Sequence, residues 1–157
     1  MKGVPGWTLV RGAAVLLVIL GCERLGHARG ADDLNPKAIT IQLPAEIKWN
    51  KGRGSESATL VGDPSKPGLY VVLQKWLAHN NSRPHFHPND RYITVISGTW
   101  WVATGPKYDF DSAKPVPAGS FVVHTGKEIH YDGAKDEDCV LQIVGMGPAT
   151  STAAEEK

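Results

Sequence analysis

Cysteine is scarce in this chain of 157 residues, and that excludes a disulfide scaffold. The two present are Cys22 and Cys139, and the first lies in a leader that reads as removable. A domain left with one thiol has no internal disulfide and depends on its apolar core. Charge of one sign is also lacking. Beyond residue 30 stand 13 basic and 15 acidic residues, a net of −2, which gives nucleic acid or anionic lipid no electrostatic hold. The uncharged apolar stretch 12–20 falls short of the ~20 residues that span a bilayer. No internal repeat, long linker or convincing amphipathic helix is visible. Small molecules are therefore the expected partners.

What is present begins with an address. Lys2 and Arg11 precede the apolar stretch, and small residues follow at Gly26, Ala28, Gly30 and Ala31. That order is the order of a secretory signal over residues 1–30, with the mature chain starting near Asp32. Ile19-Leu20-Gly21-Cys22 also resembles a lipoprotein box, which would make Cys22 a lipid anchor. Either route means export, to the bacterial periplasm or to its membrane surface.

From residue 32 to 148 short β-rich runs alternate with Gly, Pro, Asn and Asp. The pattern predicts strands over 39–43, 57–61, 69–78, 92–96, 100–103, 119–123 and 140–144. Ser97-Gly98 reads as a tight hairpin turn, and Pro117-Ala118-Gly119 as a second turn. Residues 149–157 read as a flexible tail. Many short strands with such punctuation imply an all-β sandwich or barrel. Cys139 heads the apolar run 139–144 and reads as a small buried hydrophobe rather than a nucleophile. Trp100 and Trp101 fall on opposite faces of their strand, one for the interior and one for the outside.

Beyond the leader five histidines remain: His79, His85, His87, His124 and His130. Residues two apart on a strand share a face, so His85-Phe86-His87 aims two imidazoles the same way. Neutral imidazole is the commonest ligand for divalent transition metals. The run from Arg83 to Gly98 resembles the first motif of the cupin superfamily, G-x5-H-x-H-x3,4-E-x6-G, with His85, His87 and Gly98 in register. Gly119 and His130 stand at the first glycine and the histidine of the second motif, G-x5-P-x-G-x2-H-x3-N. The resemblance covers residues 69–147. It implies a single cupin-type β-barrel, a double-stranded jelly roll, with a metal site at His85, His87 and His130.

The departures are informative. His79 replaces the opening glycine of the first motif, and Arg91 replaces its metal-binding glutamate. Thr125, Lys127 and Ala134 replace the proline, second glycine and asparagine of the second. Without the glutamate, three neutral rings leave a divalent ion its full charge. Arg91 is then either a surface group, paired with an acid such as Asp90, or a holder of a substrate carboxylate. Glu128, two before His130, is the first substitute for the missing carboxylate, and Asp90 the second. Glu128 and His124 are the candidates for moving a proton. His124 reads otherwise as a group supporting the ligands or filling the core, and His79 as a loop residue.

Together these features predict an exported cupin carrying one divalent transition ion, iron before manganese, zinc, copper or nickel. An enzyme of this kind would be an oxidoreductase of dioxygenase type. Isomerase or lyase chemistry on a sugar or small acid is a further option. The competing class is a ligand-binding or metal-sensing module that does no chemistry. By analogy with the family, the barrel is expected to form a homodimer.

Overall fold

Alternation with period two decides which side chains enter the interior of this protein. In the computed structural model, which describes residues 34–156, Ile93 and Val95 are buried while Tyr92, Thr94 and Ile96 are exposed. Cys139, Leu141 and Ile143 alternate inward in the same way. The expected signal segment and the Cys22 box lie outside the described residues. The chain divides into two compact units, Met1–Ile41 and Gln42–Lys157. The described part of the first is a turn in which Ala38 N–H donates to Asn35 O. The expected strand at 39–43 does not form: no strand pairs with it among the described residues, and Ile39, Ile41 and Leu43 are exposed.

The second unit carries every strand described: β1 (Asn50–Lys51), β2 (Ser55–Val61), β3 (Gly68–Trp76), β4 (His85–Phe86), β5 (Arg91–Ser97), β6 (Thr99–Thr104), β7 (Lys114–Pro117), β8 (Phe121–His124), β9 (His130–Gly133), β10 (Cys139–Gly147) and β11 (Thr152–Ala153). They form two antiparallel sheets, β1-β2-β3-β10-β5-β8 and β11-β4-β9-β6-β7. Two long ribbons each bend from one sheet into the other. In one, β5 pairs β8 and β6 pairs β7; in the other, β3 pairs β10 and β4 pairs β9. That wrapping is the double-stranded jelly roll.

Ser97-Gly98 therefore closes no hairpin. It is the corner where the chain leaves the first sheet for the second, since β5 and β6 belong to different sheets. Gly98 has φ +70°, and a Cβ there would stand 2.2 Å from Asp138 O, so only glycine turns this corner. The Pro117–Gly119 turn is the matching corner between β7 and β8. The two are tied together, Ala118 N–H donating to Gly98 O and Gly119 N–H to Val95 O.

Trp100 is fully buried among Tyr70, Ile93, Val95 and Leu141, whereas Trp101 faces outward beneath the Lys135 ammonium, 4.1 Å from its ring centre. Burial pushes the Cys139 thiol up to about 12, as suits a buried hydrophobe with no nucleophilic role. Residues 149–156 are not a free tail. β11 adds an edge strand to β4, Ala154 N–H donates to Pro84 O, and Glu155 pairs with Arg83.

The non-glycine residues with positive φ among those described are His79 (63°) and Lys127 (68°). They occupy two of the four positions at which the resembling motifs carry glycine, the other two being Gly98 and Gly119. A left-handed backbone at a residue other than glycine costs about 1 kcal/mol. Lys127→Gly should accordingly raise stability by roughly 0.5–1 kcal/mol in urea unfolding of the metal-free protein. A loss of stability instead would mean that the Lys127 side chain, exposed here, contributes more than its backbone costs.

Candidate metal centre and its charged neighbours

Three separate segments deliver the histidines. His85 lies on β4 directly opposite His130 on β9. His87 follows just past the end of β4. The turn before β9 is fastened to it, Lys127 N–H donating to His87 O at 2.7 Å and Gly126 N–H to Asp90 Oδ1 at 2.7 Å. This turn lies so close to Pro88 and Asn89 that a Cβ on Gly126 would be 2.9 Å from Pro88 O. His87 and His130 are thereby held together, and the available nitrogens of all three rings fall within 4.8 Å of one another.

Each ring is oriented by a carbonyl. His85 Nδ1 lies 2.8 Å from Arg83 O, His87 Nδ1 2.8 Å from Thr150 O, and His130 Nδ1 3.0 Å from Glu128 O. A carbonyl oxygen only accepts, so Nδ1 is the protonated nitrogen of each ring and the Nε2 of a neutral ring carries a lone pair. Burial first, with Arg91 next, lowers His87 to about 4; burial likewise lowers His130 to about 4. Both are thus neutral near pH 7. The Nε2 atoms of His85 and His87 stand 3.2 Å apart, and His130 Nε2 is buried with no hydrogen-bond partner. Crowded lone pairs and an orphaned buried acceptor are what a shared cation resolves. The residues fit a divalent transition ion.

Glu128 does not supply a carboxylate. It is exposed in the turn before β9 begins, where strand alternation does not apply, and it serves His130 through its backbone oxygen. Asp90 is engaged with Gly126 N–H and is paired neither with Arg91 nor with the histidines. His124 is buried, its ring centre 3.9 Å from that of His130, and its Nδ1 accepts from Arg91 Nη2 at 3.0 Å. Burial above all lowers it to about 3, so it is a neutral acceptor outside the three-histidine group. His79 is in the loop between β3 and β4, donating its N–H to Lys135 O.

Arg91 is not a surface group. On β5 it has the inward parity of Ile93 and Val95, and it lines the same cavity as His85 and His87. That cavity, about 510 Å³, is walled in addition by Trp76, Pro84, Ile143 and Ala153.

Sequence reasoning missed Asp132. It follows His130 by two on β9, the same spacing as His85 and His87, and lies buried at the cavity wall. Trp76 Nε1 (3.0 Å) and Trp100 Nε1 (2.9 Å) both donate to its Oδ2, and Ser82 Oγ to its Oδ1 (3.2 Å). Burial opposes its charge, but His124, Arg91, the Trp100 donor and His130 together hold the carboxyl below its usual range. Asp132→Ala would strand two indole N–H groups and leave Arg91 without a counter-charge. The expected cost is about 3 kcal/mol or more in urea unfolding, with Asp132→Asn milder because its amide oxygen still accepts.

No protein-family model matches the sequence, and no curated protein does either. Solved structures do. The chain is similar to the polyketide cyclase RemF from Streptomyces resistomycificus, with 15% identity, TM-score 0.63, and 76% of this chain and 87% of that one covered. It is similar to a double-stranded β-helix domain protein from Klebsiella pneumoniae (18%, TM-score 0.57, 74% and 97% covered). A cupin-2 domain protein from Rhodospirillum rubrum matches at 13% identity and TM-score 0.57, over 75% of this chain and 81% of that one. At such identities the likeness speaks for architecture alone, and it agrees with the two bent ribbons: this chain has the double-stranded β-helix fold that these solved structures share, a cupin-2 domain among them.

Proposed function

We propose that this chain is an exported, metal-dependent cupin acting on a small molecule, with His85, His87 and His130 holding one divalent transition ion. The observation that carries it is the convergence of three Nε2 lone pairs, each aimed by an Nδ1–H bond to a main-chain carbonyl. An all-nitrogen set accepts Fe, Mn, Zn, Cu or Ni, and iron is the ion we assign. When bound, such an ion supplies Lewis acidity and, as iron, activation of dioxygen, which makes oxidoreductase chemistry the favoured class. The chain's own part is to orient the rings, keep them neutral and exclude water. His124, whose Nδ1 is taken by Arg91, has only its Nε2 left for handling a proton.

Neighbours in fold do not choose the reaction. Their names include a cyclase and, from Ruegeria pomeroyi, the DMSP lyase DddQ, 13% identical with TM-score 0.57 over 72% of this chain. Export is inferred from the order of residues in segment 1–30, with lipid anchoring at Cys22 as the variant route. Pairing with a second copy is supported by the outer face of the six-stranded sheet, where Leu69, Tyr92, Phe121, Val123 and Met146 are exposed.

Elemental analysis of the purified protein, made without a histidine tag, tests the metal site. Close to one transition ion per chain is expected. His85→Ala and His87→Ala should each bring it near zero, and His124→Gln should leave it near one. Unchanged metal in the first two variants, or none in the wild type after reconstitution with each ion, would sink the assignment. Metal-dependent dioxygen uptake on adding a substrate would mark a catalyst; a ligand retained unchanged would mark a binding module.

A further inference from the structure

The cavity beside the three histidines has a cation and an anion of its own, and only the anion is fully bonded. Asp132 receives hydrogen bonds from Trp76, Trp100 and Ser82. Arg91 gives one N–H to His124 Nδ1, while its Nε is buried with no partner. Arg91 Nε and His130 Nε2 are the two buried side-chain nitrogens or oxygens without a partner among the described residues. One is a donor that needs an anionic acceptor, and the other is an acceptor that suits a cation. The Nε–H and the adjacent Nη–H of a guanidinium point in parallel, at the spacing of the two oxygens of a carboxylate. Since Nη2 carries two hydrogens, its bond to His124 leaves one still to donate.

Charge points the same way. Arg91 and Asp132 cancel, the three clustered rings offer only lone pairs, their Nδ1 atoms being bonded to carbonyls, and a divalent ion would arrive with its charge uncompensated. An ordinary cupin glutamate would have offset part of that charge, but Arg91 occupies its position. A ligand that brings a negative charge would offset that of the ion. The rest of the cavity wall, with Trp76, Pro84, Ile143 and Ala153, suits a compact apolar body.

We propose that the cavity selects a small carboxylate with a compact apolar body, held side-on by Nε and Nη2 of Arg91 beside the ion. This deepens the metal reading above, on which only the placement beside the ion rests. Arg91 is a specificity-determining residue in this account and holds no metal.

The test uses the purified protein, zinc-loaded and metal-free, titrated calorimetrically with propanoate and benzoate, with propanamide and benzamide as neutral counterparts, and with inorganic phosphate. Nitrogen-15 spectra follow the arginine Nε–H resonances in parallel. The carboxylates should bind about tenfold or more tighter than their amides and tighter than phosphate, and should move one buried arginine Nε–H signal. Arg91→Gln should remove the preference while metal content stays near one, and Arg91→Lys should restore only part of it. Equal affinity for acid and amide, a preference for phosphate, or a preference surviving in Arg91→Gln would overturn the proposal. Should Arg91→Gln fail to fold, the wild-type acid-to-amide ratio and the Nε–H shift decide alone. A preference confined to the zinc-loaded protein with every arginine signal unmoved assigns it to the ion and overturns the role of Arg91. A preference kept by a protein that takes up no metal overturns the metal reading and leaves the carboxylate site standing.

Discussion

Three hydrogen bonds from ring Nδ1–H groups to main-chain carbonyls decide what this barrel can do. Arg83 O, Thr150 O and Glu128 O each fix one imidazole, and together they leave three Nε2 lone pairs facing one point. Were any ring free to turn over, it would present an N–H there and the group would lose a ligand. The acceptors are backbone atoms, so the site depends on where three loops run more than on which side chains they carry. Thr150 shows this well, because its contribution would survive most substitutions and depends on β11 holding its segment against β4.

That dependence explains the work of the two bent ribbons. His85 and His130 meet because β4 and β9 are adjacent in the second sheet, while Arg91 and His124 meet because β5 and β8 are adjacent in the first. Both pairs reach the same interior only because the chain turns sharply at Gly98 and at Pro117–Gly119, where the two corners bond to each other. Residues in two different sheets thereby surround one cavity, with the His124 ring packed at a tilt of 43° against that of His130 as the link between them.

Much of this was legible in the sequence, and the failures share a cause. Six of the seven expected strands exist, because β-rich runs that alternate report burial directly. The stretch 39–43 is β-rich in composition alone, and no strand among the described residues pairs with it. Very short strands such as β4, β9 and β11 carry too few residues to show a period, although they hold the site. Ser97-Gly98 looked like a hairpin because a local turn signal says nothing about which sheet the next strand joins. Arg91 could have been placed from its inward parity with Ile93 and Val95, and Asp132 from its spacing to His130. Its indole partners come from β3 and β6, a long way off in sequence and invisible to any local reading.

A buried charge pair is poor evidence for stability, since desolvating both partners usually costs as much as their attraction returns. Arg91 and Asp132 are more costly than most, for they make no direct ion pair and are compensated separately, the aspartate by two indoles and a serine and the arginine by a neutral histidine. An apolar pair would fill this end of the barrel more cheaply. Placed beside three neutral rings, however, the pair holds the interior near zero charge and keeps one guanidinium edge unspent. A cavity so arranged gives a divalent ion no fixed counter-charge and offers an anion one unpartnered guanidinium N–H. The three-histidine group has no carboxylate of its own, and Arg91 beside it is the group that would recognise one brought by an acidic ligand.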